Sequence, residues 1–140
     1  MKIKRLHHVG IPVHDMRRGE QFYVGVLGFK PCAGKANWLW AGDGYTVHLM
    51  PALVPGGPHQ PARHFAFEVD RLADVVALLL QHGLCPYQLT GDQSQRHDVT
   101  SAEDPLDFGI GTIFVEDPDG NTLEFIDPNR GIFAEILGVR

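Results

Sequence analysis

Two stretches, HHVGIPVHDMRRGEQFYVGVLGFKP from His7 to Pro31 and RHFAFEVDRLADVVALLLQHGLCP from Arg63 to Pro86, are two versions of one pattern. His8 falls on His64, Val13 on Val69 and Met16 on Leu72. After one residue of slip, Gly28 falls on Gly83 and Pro31 on Pro86. Each copy opens with period-two alternation, passes into a helical period, ends at a glycine and returns to extended chain. Asp15 is a reasonable N-cap for the first helix, which should turn Phe22, Tyr23, Val26 and Leu27 inward. The second helix is expected from about Leu72 to His82, with Val75, Val76, Leu78, Leu79 and Leu80 making it heavily apolar.

Outward from these stretches, each helix is followed by further strands. Trp38 to Ala41 and Tyr45 to Met50 flank the turn AGDG, and Gly111 to Glu116 and Asn121 to Asp127 flank DPDG. The expectation is an α+β protein of about eight strands, built as two tandem βαβββ modules with helices backing one face of the sheets. The chain of 140 residues reads as one domain: module one over about 4–52, a Pro/Gly-rich linker over about 53–62, module two over about 63–128 and a tail over 129–140. The segment 91–109 has no clean period and is expected to be a flap over a site. The tail is expected to hold a short helix.

Composition excludes several function classes. The chain is 44% hydrophobic and 21% charged, as for ordinary globular proteins, with a formal charge of −5. Lysines and arginines cluster only at Lys2, Lys4 and Arg5, so no nucleic-acid groove is expected. No apolar run is long enough for a membrane span, and Met1 to Gly10 lacks the apolar stretch of a signal peptide. Cys32 and Cys85 fit neither a zinc pattern nor a disulfide framework, so a reduced, cytoplasmic location is expected.

Eight histidines are many for this length, and their placement matters more. Val9, Ile11 and Val13 share one strand face, so His8 points to the other. By the same alternation His48 opposes Val47 and Leu49, His64 opposes Phe65 and Phe67, and Glu124 opposes Leu123 and Phe125. One ligand-type side chain therefore stands on the non-helix face of each of four strands. Three imidazoles and a carboxylate suit one divalent ion: Zn, Ni, Co, Mn or Fe(II). The blander reading of Glu124 is a solvated second strand face.

The segments LHHVGIPVHDMRRGEQFYVGVLGF, RHFAFEVD and FVEDPDGNTLEFID resemble the opening, middle and closing signatures of the vicinal oxygen chelate superfamily, also called the glyoxalase / bleomycin resistance / dioxygenase superfamily. The resemblance runs from about Leu6 to Pro128. It implies paired βαβββ modules curved into a partly open β-barrel with helices outside. It also implies metal ligands at His8, His48, His64 and Glu124, the four residues that alternation selects. Homodimers, common in the family, are implied too, with the ligands drawn from one chain or two.

Three activities follow from the resemblance. The first is a glyoxalase I-like lyase or isomerase on a small vicinal-oxygen substrate, in which Glu124 and His48 are the candidate proton-handling residues and Glu68 is a further candidate base. His48 replaces a glutamate of bacterial glyoxalase I, a departure from the strict pattern. The second is an extradiol-type Fe(II) dioxygenase using His8, His64 and Glu124, with His48 as acid/base. The third is metal-free drug or small-molecule binding, as in bleomycin-resistance proteins; a thiol transferase of the fosfomycin-resistance kind would need a basic pocket that the sequence does not offer. Trp38, Trp40 and Tyr45 are candidates for an apolar pocket or for core. His7 should oppose His8 and be structural, while His14, His59, His82 and His97 fall on surfaces and loops. Arg96 and His97 are within the long loop and could reach a substrate. Cys32 and Cys85 should be small buried hydrophobes.

Overall fold

The computed structural model describes residues 1–54 and 61–136. Most of the expected linker, with His59, lies outside the described residues, as do the last four residues of the tail. The described chain divides into two compact units, one holding the first half together with Asp117–Asn121, the other holding the remainder. Two sheets and three α-helices make the protein α+β, as expected.

The first unit is β1 (His8–Val13), α1 (Met16–Glu20), β2 (Lys30–Cys32), β3 (Lys35–Gly42) and β4 (Tyr45–Pro51). Its sheet runs β1-β4-β3-β2, with β1 parallel to β4 and the other pairs antiparallel. Ile11, Val13, Leu39, Val47 and Leu49 are buried on one face. The Asp15 side chain caps α1 by accepting the Arg18 N–H at 3.2 Å. Gly19 lets α1 sit close to β1, because a Cβ there would meet Val13 Cγ1 at 2.6 Å.

Beyond Glu20 the helix widens into a π-helical segment, Gln21–Val26, and the Leu27 N–H bonds Phe22 O at 3.0 Å. The wider turn rotates later residues away from a 3.6-residue stripe. Phe22 and Tyr23 are therefore buried as expected, while Val26 and Leu27 are only half-buried.

A buried carboxylate ties Asp117–Asn121 into this unit. Tyr23 donates its hydroxyl to Asp117 Oδ2 at 2.6 Å, and Asn121 Nδ2 donates to the same oxygen at 2.8 Å. Oδ1 accepts the backbone N–H groups of Asp119 and Asn121 at 2.9 and 2.8 Å. Burial pushes the Asp117 carboxyl above its usual range, opposed by the hydrogen bonds from Tyr23 and Asn121. Burial, then the Asp117 charge, pushes the Tyr23 phenol well up.

The second unit is β5 (His64–Glu68), α2 (Leu72–Gln81), β6 (Tyr87–Leu89), β7 (Arg96–Asp98), β8 (Ile113–Glu116), β9 (Thr122–Ile126) and α3 (Gly131–Ile136). Its sheet runs β5-β9-β8-β6-β7, repeating the first unit's order with one added edge strand. Leu72, Val76 and Leu79 form the buried stripe of α2, which packs on β9. Each such side chain contributes about 1.5–3 kcal/mol of burial.

Two expectations need correction here. The segment 91–109 is not without secondary structure: Arg96–Asp98 pairs antiparallel with β6, raising the described strands to nine. Three residues are too few to show a period, so alternation could not find it. Cys85 is exposed and Cys32 half-buried. Cys85 follows the α2 terminus in the surface return to β6, which leaves it exposed.

Candidate functional site

Parallel pairing of the first and last strands of each unit decides which side chains become neighbours. In the first unit His8 pairs with Thr46 and Gly10 with His48, so both histidines rise from one face. Their ring centroids are 6.2 Å apart. Trp38, opposite His48 across β3 and β4, stacks on it at 4.1 Å and meets His8 edge-on at 4.7 Å. The Asn37 amide Nδ2 donates to His48 Nε2 at 3.0 Å and to Leu49 O at 3.3 Å. A carbonyl can only accept, so the amide orientation is fixed and His48 Nε2 is an occupied acceptor.

His7 does not oppose His8. It precedes β1, so strand alternation does not govern it, and its Nδ1 lies 2.9 Å from His8 Nδ1. Trp40 and Tyr45 are 46% and 64% exposed, so neither is core. A groove of about 390 Å³ lined by Phe29, Lys30, Trp40 and Asp43 includes none of the expected ligands.

In the second unit Ala66 pairs with Glu124 and His64 with Thr122, placing the His64 and Glu124 side chains on one face. Glu124 is 2% exposed, although His64 and Ala66 beside it are exposed, so its carboxylate is not solvated and the blander reading of it fails. Its Oε1 accepts the Thr112 hydroxyl at 2.8 Å, and its Oε2 lies 2.9 Å from His64 Nε2. His64 Nδ1 lies 2.7 Å from Pro61 O. That carbonyl requires the hydrogen on Nδ1, which leaves Nε2 with a lone pair toward a carboxylate oxygen. Two electron-rich atoms at that distance need a proton or a cation between them. A histidine whose Nδ1–H is tied to a backbone carbonyl, with Nε2 turned to a carboxylate oxygen, fits a metal ligand when a cation rather than a proton lies between them.

The four expected ligands are thus found as two pairs, His8 with His48 and His64 with Glu124. Among the described residues, no group of three or more His, Cys, Asp or Glu stands together as a metal-ready cluster. Glu68 lies on the His64 face of β5, two steps along. Thr112 and Asn37 escaped the sequence reading because each acts on a residue of a neighbouring strand, which alternation along a single strand does not identify.

The family model for the Glyoxalase/Bleomycin resistance protein/Dioxygenase superfamily matches residues 5–125. The chain belongs to this superfamily. Among solved structures, a glyoxalase family protein from Enterococcus faecalis is 24% identical, with 89% of this chain and 98% of that chain covered and a TM-score of 0.59. The antibiotic-binding protein TnmS3 from a Streptomyces species is 21% identical over 91% and 98% of the two chains, with a TM-score of 0.57. The oxidase ChaP-H2 is 19% identical over 90% and 94%, with a TM-score of 0.60. At these identities the likeness is one of fold, and it spans an oxidase, a binding protein and glyoxalase relatives. A comparison with curated proteins returns no match. Among the described residues, no helix is long and apolar enough to cross a membrane.

Proposed function

We propose that this superfamily member is a metal-dependent lyase or isomerase of glyoxalase type, acting on a small substrate with two vicinal oxygens. His8, His48, His64 and Glu124 are the proposed ligands of one divalent ion. The observation that carries the reading is the 2.9 Å approach of His64 Nε2 to buried Glu124 Oε2 while Nδ1 is held by Pro61 O. A divalent ion held there supplies Lewis acidity toward the substrate oxygens. Thr112 orients the Glu124 carboxylate, and Trp38 fixes the plane of His48. Glu124, with Oε1 committed to Thr112, is the base that would take a proton beside a carbonyl through Oε2 and give that same proton back to the adjacent carbon; His48 is the other proposed proton-handling residue.

The hydrogen bond from Asn37 to His48 Nε2 favours a second reading. With that nitrogen engaged, His48 is an acid/base group rather than a ligand. His8, His64 and Glu124 then form the two-histidine, one-carboxylate set of a non-haem Fe(II) dioxygenase. Two unpaired cysteines suit a reducing compartment, so a cytoplasmic location is proposed in either case, and a homodimer is proposed from the family resemblance alone.

Elemental analysis of untagged protein beside His64→Ala tests the proposal. About one equivalent of Zn, Ni, Co or Mn, lost in the variant, supports it and directs proton-exchange assays to hemithioacetals and acyl thioesters. Iron, with oxygen uptake on catechols, selects the dioxygenase. Failure to take up any of these ions on dialysis refutes both and leaves a small-molecule binding protein.

A further inference from the structure

We propose that Arg96 recognises an anionic group, a carboxylate or a similar planar anion, on the substrate. Cross-strand register carries the placement. Phe114 pairs with Glu124, Tyr87 with Phe114, Asp98 with Tyr87, and Arg96 with Leu89 one alternation step away. Directly paired residues share a face, so Arg96 rises from the same face of the second sheet as Glu124. β6 lies two strands from β9, which puts Tyr87 about 10 Å from Glu124 at ordinary strand spacing.

The guanidinium is already oriented. Its Cζ lies 3.8 Å over the Tyr87 ring, and its Nε donates to Asp98 Oδ1 at 2.7 Å. The Tyr87 hydroxyl donates to Glu116, which fixes the ring beneath. Phe114, 5.7 Å from Tyr87 and 5.8 Å from His64 between centroids, continues an apolar floor toward the His64–Glu124 pair. Arg96 remains 42% exposed, and its terminal nitrogens make no hydrogen bond among the described residues. Arg71 and Arg130 are engaged elsewhere, with Asp74 and with Pro105 O.

A guanidinium stacked on an aromatic ring, with one edge held and the fork free, accepts a carboxylate through two parallel hydrogen bonds at little ordering cost. The favoured substrate then holds its anion at a distance from its chelating oxygens, toward β6 and β7. That distance rests on the metal reading above; the anion site itself does not.

The experiment compares 3-(3,4-dihydroxyphenyl)propanoate, its neutral amide and catechol for binding to Zn-loaded protein. In parallel, 3-phenylpropanoate is titrated into metal-free protein while the Arg96 Nε–H resonance is followed by NMR. The carboxylate should bind about tenfold more tightly than the amide. Arg96→Gln should abolish that ratio and leave catechol unchanged, and Arg96→Lys should restore part of it. Equal binding of carboxylate and amide, or a ratio that survives Arg96→Gln, overturns the inference. Movement of the Arg96 resonance without catechol binding upholds the anion site and sinks the reading that the ion chelates vicinal oxygens; a resonance unmoved by 3-phenylpropanoate overturns the anion site whatever the metal does.

Discussion

Replacing Thr112 with valine isolates what orients Glu124. Thr112 is 1% exposed and Glu124 is 2% exposed, and the hydroxyl is the donor to Oε1 at 2.8 Å. Valine keeps the shape and β-branching but leaves Oε1 without that donor. An unsatisfied buried oxygen costs about 1–3 kcal/mol. The carboxylate can relieve this cost by rotating or taking up a proton, and either change weakens it as a ligand through Oε2. Loss of a hydrogen bond that orients a ligand typically lowers metal affinity about 10–100-fold, or about 1.4–2.7 kcal/mol. Competition of Zn(II) or Co(II) against a chromogenic chelator, with far-UV circular dichroism to confirm folding, reads the difference. A folded Thr112→Val protein with affinity within about twofold of wild type, in a background where His64→Ala does weaken binding, would refute the role of Thr112 in orienting Glu124 as a ligand.

Other outcomes follow from the same geometry. Glu124→Gln should keep the fold, since the amide oxygen can still accept from Thr112, yet lose most bound metal; unchanged metal content by elemental analysis counts against the assignment. Tyr23→Phe should cost about 1.5 kcal/mol, the low end for a bond to a charged group, because Asp117 keeps three other donors. The Asp117 carboxyl is raised in the fold, so its contribution to stability falls as pH rises from its unfolded pKa through its folded one. Removing the phenol raises that carboxyl further, so the Tyr23→Phe deficit in urea unfolding should be larger at about pH 7 than at about pH 4. An equal deficit at both would show that the phenol does not favour the ionised form.

Much of the fold was legible because its repeat and its alternation are local. The pattern shared by His8–Met16 and His64–Leu72 yielded the module, and period two assigned a face to each histidine. Gly44 and Gly120 take positive φ in the two turns expected from AGDG and DPDG, as turn chemistry requires. What was missed lacks a local signature. The π-helical turn at Gln21–Val26 depends on hydrogen bonds the sequence does not announce. The edge strand Arg96–Asp98 exists only by pairing with β6, and the exposure of Cys85 depends on where the chain turns.

The candidate site divides along the same line. The sequence by itself determined that His8, His48, His64 and Glu124 occupy the faces opposite their strands' apolar residues, because side chains alternate along any strand. Tertiary structure alone decided their partners: Pro61 O for His64 Nδ1, Thr112 for Glu124, and Asn37 and Trp38 for His48. It also set Arg96 on the face that carries Glu124. Hydrogen-bond partners and shared faces come from strand register, and register is fixed only when the sheet assembles.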